Sequence, residues 1–187
     1  MSEKYEAFVK KMHEKHPRMF AHRYGGFAVG EGWWHILEHL CASIDAHVTW
    51  KRDQRARDLK FNRKLKRAIA LNSIEPLISK DANQWQIKDA EHALITQEFR
   101  EPYDRVEHVQ VRQIKEKFGG LRFYYDGGDE QVFGMVRMAE SWASTICEQC
   151  GEPGKLRGGG WIQTLCDKHE AERQEEYRKR YAGEDEE

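Results

Sequence analysis

Four residues near the end of the chain have the types and the spacing to hold a metal ion. Cys147 and Cys150 have two residues between them, as do Cys166 and His169, and fifteen residues separate the inner cysteines. Each pair can close on an ion with one tight turn, and Gly151 supplies the relaxed backbone such a turn wants. Thiolate sulfur and imidazole nitrogen suit zinc, and three cysteines with one histidine fill its tetrahedral shell. A shell filled by protein leaves no position for a reacting water, so the spacing predicts one structural Zn ion. A disulfide or free core cysteines would use the same cysteines, but would leave His169 without a part.

Two other constellations are weaker. His35-Ile36-Leu37-Glu38-His39 matches the inverted zinc-protease spacing His-x-x-Glu-His. In a chain with nine histidines such a match arises by chance, and no third ligand is apparent, so the triplet reads as a solvated helix face. Gly30-Glu31-Gly32 lacks the third glycine of a phosphate cradle and reads as a plain turn. No nucleophile elbow or P-loop is present. The expectation is a non-enzymatic protein, with a metal-dependent hydrolase as the enzymatic alternative.

Two stretches carry concentrated positive charge. Between Lys51 and Arg67 there are nine Lys or Arg against Asp53 and Asp58. Within it Arg55, Lys60, Arg63, Lys64 and Arg67 are candidates for contacts to nucleic acid or another anion, because a basic helix is the usual footprint of phosphate binding. The run Ile114 to Tyr125 reads as two strands around a Gly119-Gly120 turn. That turn pairs Phe118 with Leu121 and Lys117 with Arg122. Ile114, Phe118, Leu121, Phe123 and Tyr125 would then face the core. Lys115, Lys117, Arg122 and Tyr124 would face outward, where cations opposite one another repel and Tyr124 offers a ring for a base. A solvated face is the plain reading of both stretches. Glu116 falls on the apolar face without an evident partner.

The elements that must position these residues follow from periodicity. Tyr5, Phe8, Val9 and Met12 predict a helix over 3–13 that ends before Pro17. Residues 19–32 read as a loop, and Trp33 to about Val48 as a core-facing helix with Cys41 as a small core hydrophobe and His47 as a hydrogen-bonded boundary histidine. The basic stretch should be helical at least in its second half. A helix over 81–99 would bury Trp85, Ile87, Ala90 and Leu94. Asp129 caps a helix to about Ile146. The metal segment holds two short strands around Gly158-Gly159-Gly160, then a charged helix from Cys166.

The expected fold class is therefore α+β: a helical N-terminal part, a β-hairpin or small antiparallel sheet, and a C-terminal treble-clef-like zinc module. Residues 1–146 would form one domain, 147–182 the zinc module packed on it, and 183–187 an acidic tail. The formal net charge of −1 announces neither nucleic acid nor membrane. No apolar run approaches the roughly 18 residues of a membrane span, and the N-terminus is no secretory signal, so the expected location is the cytoplasm.

The segment Ile114 to Asp129, the motif Cys147-Glu-Gln-Cys-Gly-Glu-Pro-Gly and the stretch Gly-Gly-Trp-Ile-Gln-Thr-Leu-Cys-Asp-Lys-His169 resemble a family of small uncharacterised proteins of bacteria and their phages. Pro17-Arg18-Met19-Phe20, Tyr24-Gly25-Gly26 and Gly32-Trp33-Trp34 are similar to its N-terminal segment. The resemblance implies a zinc site at Cys147, Cys150, Cys166 and His169 and names no activity. The expected function is a zinc-binding accessory factor for nucleic acid. A protein-interaction modulator, such as a phage inhibitor of a host or defence factor, and a nucleotide-sequestering protein are the alternatives.

Overall fold

A computed structural model of the chain describes residues 2–21 and 26–181. Tyr24, Gly25 and the acidic tail at 183–187 lie outside the described residues. The protein is α+β, with five α-helices, a three-stranded sheet and a two-stranded sheet among the described residues. It divides into two compact units, residues 1–48 with 107–187, and residues 49–106. The metal-ligand segment belongs to the same unit as the hairpin, because its backbone is built into that unit's hydrogen bonding.

In the first unit, helix α1 (Glu3–Lys15) begins at Ser2, whose hydroxyl oxygen accepts from the Tyr5 N–H, and it buries Phe8 and Met12. Phe8 stacks on Trp34 at 4.6 Å and meets Phe27 edge-on at 4.9 Å. Phe27 belongs to a strand the sequence reading missed. β1 (Phe27–Ala28) pairs in parallel with β2 (Glu107–Lys117), Phe27 opposite Ile114, so the sheet is mixed rather than purely antiparallel. Two residues carry too little periodicity to be seen from sequence alone.

β2 and β3 (Gly120–Gly128) form the expected hairpin with a different turn. Lys117 pairs with Gly120, Lys115 with Arg122 and Ile114 with Phe123. The turn residues are Phe118 and Gly119, both left-handed at φ 54° and 75°. Mirror-image turns of this kind match the twist of two paired strands. The shift moves each partner by two residues, one full side-chain period, so the faces survive. Ile114, Leu121 and Phe123 are buried, and Lys115, Lys117, Arg122 and Tyr124 lie opposite. Phe118 is the casualty: expected in the core, it stands 72% exposed at the turn. Glu116 finds its partner there too, its carboxylate accepting the Gly119 N–H at 2.5 Å.

α4 (Glu130–Ala143) packs on β3 with Val132, Val136, Ala139 and Ala143 buried. Asp129 caps it, accepting the N–H groups of Gln131 and Val132, and also bonds the His47 ring nitrogen at 3.0 Å. Glu140 on α4 accepts the Phe123 N–H, satisfying a donor on the hairpin's outer strand.

The basic stretch is not a separate helix. α2 runs without a break from Trp34 to Leu71, 38 residues with no glycine or proline to interrupt it. Its first part belongs to the first unit and the rest to the second. In the second unit Leu65 and Ala68 are buried, whereas Leu59 and Leu71 are exposed. The Asn62 amide exchanges two hydrogen bonds with the Arg100 backbone, and the buried Asp58 carboxylate takes Gln54 and the Arg100 guanidinium. α3 (Gln84–Thr96) is shorter than expected because the Asn83 and Gln86 capping box fixes its start. Trp85, expected to be buried, is 76% exposed in its first turn, and Ala90 is the residue α3 buries fully.

Candidate metal centre and cationic surfaces

The Cys147 turn is held at both ends by backbone. Cys147 donates its N–H to the Glu152 carbonyl and accepts the Gly151 N–H, while Gly154 donates to the Thr145 carbonyl. Gly151 sits at φ 82°, which closes the turn as expected. Cys166 follows β5 (Gln163–Leu165), paired antiparallel with β4 (Lys155–Arg157), and His169 lies in the first turn of α5 (Asp167–Tyr181). Arg157 ties the two parts together, bonding the Leu165 carbonyl and pairing with Asp167, whose carboxyl it holds below the usual range.

These elements bring the four ligand atoms within 4.8 Å of one another. The Cys150 and Cys166 sulfurs are 3.8 Å apart, and the His169 Nδ1 lies 3.4 Å from the Cys147 sulfur and 3.2 Å from that of Cys166. A tetrahedral ion with zinc-like bond lengths requires sulfur–sulfur edges of about 3.8 Å and sulfur–nitrogen edges of about 3.6 Å. The donor set and its spacing fit. Cys147 is buried, and Cys166 and His169 are half-buried. The other ring nitrogen of His169 faces the Glu172 carboxylate at 3.7 Å, where an acid steadies the ring of a metal-bound histidine.

The thiols are already poised differently. The backbone N–H of His169, at the positive end of α5, draws Cys166 down to about 7. Desolvation pushes Cys150 up to about 11, with the neighbouring sulfurs adding to it. A dication among them removes that mutual repulsion.

Three residues, Glu148, Trp33 and Arg173, build this centre into the unit, and sequence reading missed the part each plays. Glu148, between the first two ligands, donates its N–H to the Thr164 carbonyl and accepts the Gly32 N–H. Its Oε1 accepts the Gly30 N–H at 3.0 Å. Gly30-Glu31-Gly32 is thus no plain turn. A Cβ on Gly32 would stand 2.2 Å from the Cys147 carbonyl oxygen, and one on Gly30 2.3 Å from that of Glu148. The Gly-x-Gly spacing was the visible signal, but its partner lies more than a hundred residues away. The indole N–H of buried Trp33 adds a bond to the Ile146 carbonyl at 2.8 Å. On α5, Arg173 donates to the Trp161 and Gly158 carbonyls, fastening the glycine loop.

His35, Glu38 and His39 do not form a second centre. His35 meets the Trp142 ring at 6.0 Å, Glu38 pairs with Lys11 at 2.6 Å, and His39 is exposed. Among the described residues the Cys147 set is the one group gathered for a metal. Cys41 is fully buried, and burial pushes its thiol far above the ordinary range.

The cationic residues fall in two places. On α2, Lys60, Arg63, Lys64 and Arg67 stand at i, i+3, i+4 and i+7, one exposed stripe of the helix. Arg55 is half-buried and bonds the Tyr103 carbonyl instead. On the hairpin, Lys115 sits over the Tyr124 ring at 5.3 Å, Lys117 over Phe118 at 5.5 Å, and Arg122 donates to the Leu121 carbonyl. No helix among the described residues is long and apolar enough to cross a membrane.

Compared with known proteins, no family model matches the chain, no curated protein matches it, and no solved structure matches it.

Proposed function

We propose that the protein is a non-enzymatic zinc-binding factor that engages nucleic acid through the cationic stripe of α2 and the outer face of the hairpin. The observation that carries the metal part is the convergence of Cys147, Cys150, Cys166 and His169, all four ligand atoms lying within 4.8 Å. With four protein ligands zinc would act structurally, in a treble-clef-like order of turn, hairpin and helix. Lys60, Arg63, Lys64 and Arg67 support the nucleic-acid part: four exposed cations on one face of an unbroken helix track a phosphate backbone. Lys115, Lys117, Arg122 and Tyr124 add charge and a ring. The reading agrees with the resemblance to small bacterial and phage proteins. Affinity for oligonucleotides measured across a salt series tests it, with metal content determined on the same preparation; salt-independent affinity would remove the nucleic-acid reading.

One observation favours a protein partner as the second reading. Ile36, Leu40, Met135, Met138 and Trp142 line an apolar groove of about 100 Å³ between α2 and α4, and Met138 and Trp142 are 69% and 48% exposed. A pull-down that survives nuclease treatment would favour it.

A further inference from the structure

We infer that the second unit carries an oxyanion site for a phosphate group, formed by Arg52, Arg55 and Arg105. The three arginines line one recess of about 220 Å³ whose remaining walls are Ala56, Leu59 and Val106. Arg52 and Arg55 lie one turn apart on α2, and Arg105 enters from the segment leading to β2. Only Arg55 falls among the cations that sequence reading singled out, because the recess exists only once residues 103–106 lie along the helix.

The charges there lack internal compensation. None of the three arginines makes an ion pair among the described residues, although the chain as a whole is nearly neutral. The buried carboxylate one turn along, Asp58, is taken by Gln54 and Arg100. Asp53 and Asp104, beside the arginines in sequence, are exposed and pair with none of them. Three arginines lining one recess gather like charge there, which an anion would relieve.

The geometry is also prepared for a ligand. Arg52 donates one N–H to the Val106 carbonyl at 2.6 Å, and Arg55 donates one to the Tyr103 carbonyl. Each guanidinium is thereby fixed while keeping donors to spare, which lowers the entropy lost on binding. Arg105 makes no internal hydrogen bond among the described residues and is free to close on an incoming group. Planar forks of this kind favour phosphate, whose oxygens accept in pairs. Beside the recess Trp50 and Tyr103 present exposed rings 5.4 Å apart, so a phosphate linked to a base would meet a stacking surface as well.

This site goes beyond the stripe on α2, and the experiment separates the two. The full-length protein is titrated calorimetrically with pyrophosphate, with a short oligothymidylate and with its uncharged methylphosphonate counterpart. The same titrations are run on Arg105→Glu, Arg105→Lys and the triple variant Arg63→Glu, Lys64→Glu, Arg67→Glu. Pyrophosphate should bind the parent, lose about tenfold or more with Arg105→Glu, recover partly with Arg105→Lys, and be little changed in the triple variant. Unaltered thermal transitions would show that Arg105→Glu folds. If the oligothymidylate also weakens with Arg105→Glu and the methylphosphonate does not bind, the phosphate comes from nucleic acid. Pyrophosphate binding lost with Arg105→Glu and no oligonucleotide binding would keep the site and sink the nucleic-acid reading. Pyrophosphate that fails to bind, or binds Arg105→Glu unchanged, overturns the site, whatever the stripe does with oligonucleotides.

Discussion

The hydroxyl of Thr164 donates to the carbonyl of Gly119 at 2.6 Å, and Thr164 is fully buried. This bond joins the tip of the β2–β3 hairpin to the strand that leads into Cys166. Gly119 is pressed so close that a Cβ there would stand 2.3 Å from a Leu156 methyl carbon. The turn at Phe118-Gly119 places a residue without a side chain against β4 and β5, while Phe118 stands in solvent. Thr164→Val keeps the shape and strands a buried carbonyl, so it should cost about 1–3 kcal/mol. Thr164→Ser should keep most of the stability. Denaturant unfolding of the two variants checks this, and equal stabilities would refute it.

Removal of the metal is the second expectation. The purified protein should carry about one zinc per chain, and Cys147→Ser or His169→Ala should lower that content together with the melting temperature. Structural zinc contributes to folding directly, with apparent binding energies of about 10–16 kcal/mol in small zinc-dependent units. Elemental analysis and thermal melts with and without a chelator make the measurement. Metal-free protein melting at an unchanged temperature would remove the structural role.

Two glycines should respond oppositely. Gly32→Ala drives a methyl into the Cys147 carbonyl and the Gly151 nitrogen, at 2.2 and 2.5 Å, both rigid backbone. We expect a loss of about 3 kcal/mol or more and weakened metal retention. Gly134, inside α4, has nothing within 4 Å of an added Cβ. Gly134→Ala should stabilise by about 0.5–1 kcal/mol through helix propensity and a less flexible unfolded chain.

Glu148 offers a test of charge near the centre. Burial, with the Glu116 charge adding and the Gly30 N–H opposing, holds its carboxyl above the ordinary range. Its Oε2 is buried with no hydrogen-bond partner among the described residues. A carboxyl raised in the folded state favours folding below its unfolded pKa, and that contribution is lost as pH climbs through the folded value. Glu148→Gln keeps an acceptor for Gly30 and removes the charge. The variant should be as stable as the parent or up to about 1 kcal/mol more stable at pH 7, an advantage that shrinks toward pH 4. Paired melts at the two pH values decide; a large loss at pH 7 would contradict it.

Charge reversal on the helix stripe tests the nucleic-acid proposal. Arg63→Glu, Lys64→Glu and Arg67→Glu together should abolish oligonucleotide binding. Single neutralisations should each reduce the slope of log affinity against log salt by about one. Affinity unchanged in the triple variant would remove that face of α2 from the function.

The sequence by itself determined the candidate metal-binding set, the hairpin faces and most helices. These rest on local rules: two-residue ligand spacing, alternation along strands and apolar residues every three or four positions along helices. Cys147, Cys150, Cys166 and His169 were legible because each pair needs only one turn to converge. The tertiary structure alone decided what depends on contacts between distant residues. It set the turn at Phe118-Gly119, where Gly119 meets Leu156 and Thr164. It turned Gly30 and Gly32 from a loop into the bed of the Cys147 turn, and it gave Phe27 a strand partner at Ile114. It likewise brought Arg105 beside Arg52 and Arg55, since no spacing along the chain announces a neighbour half a hundred residues away.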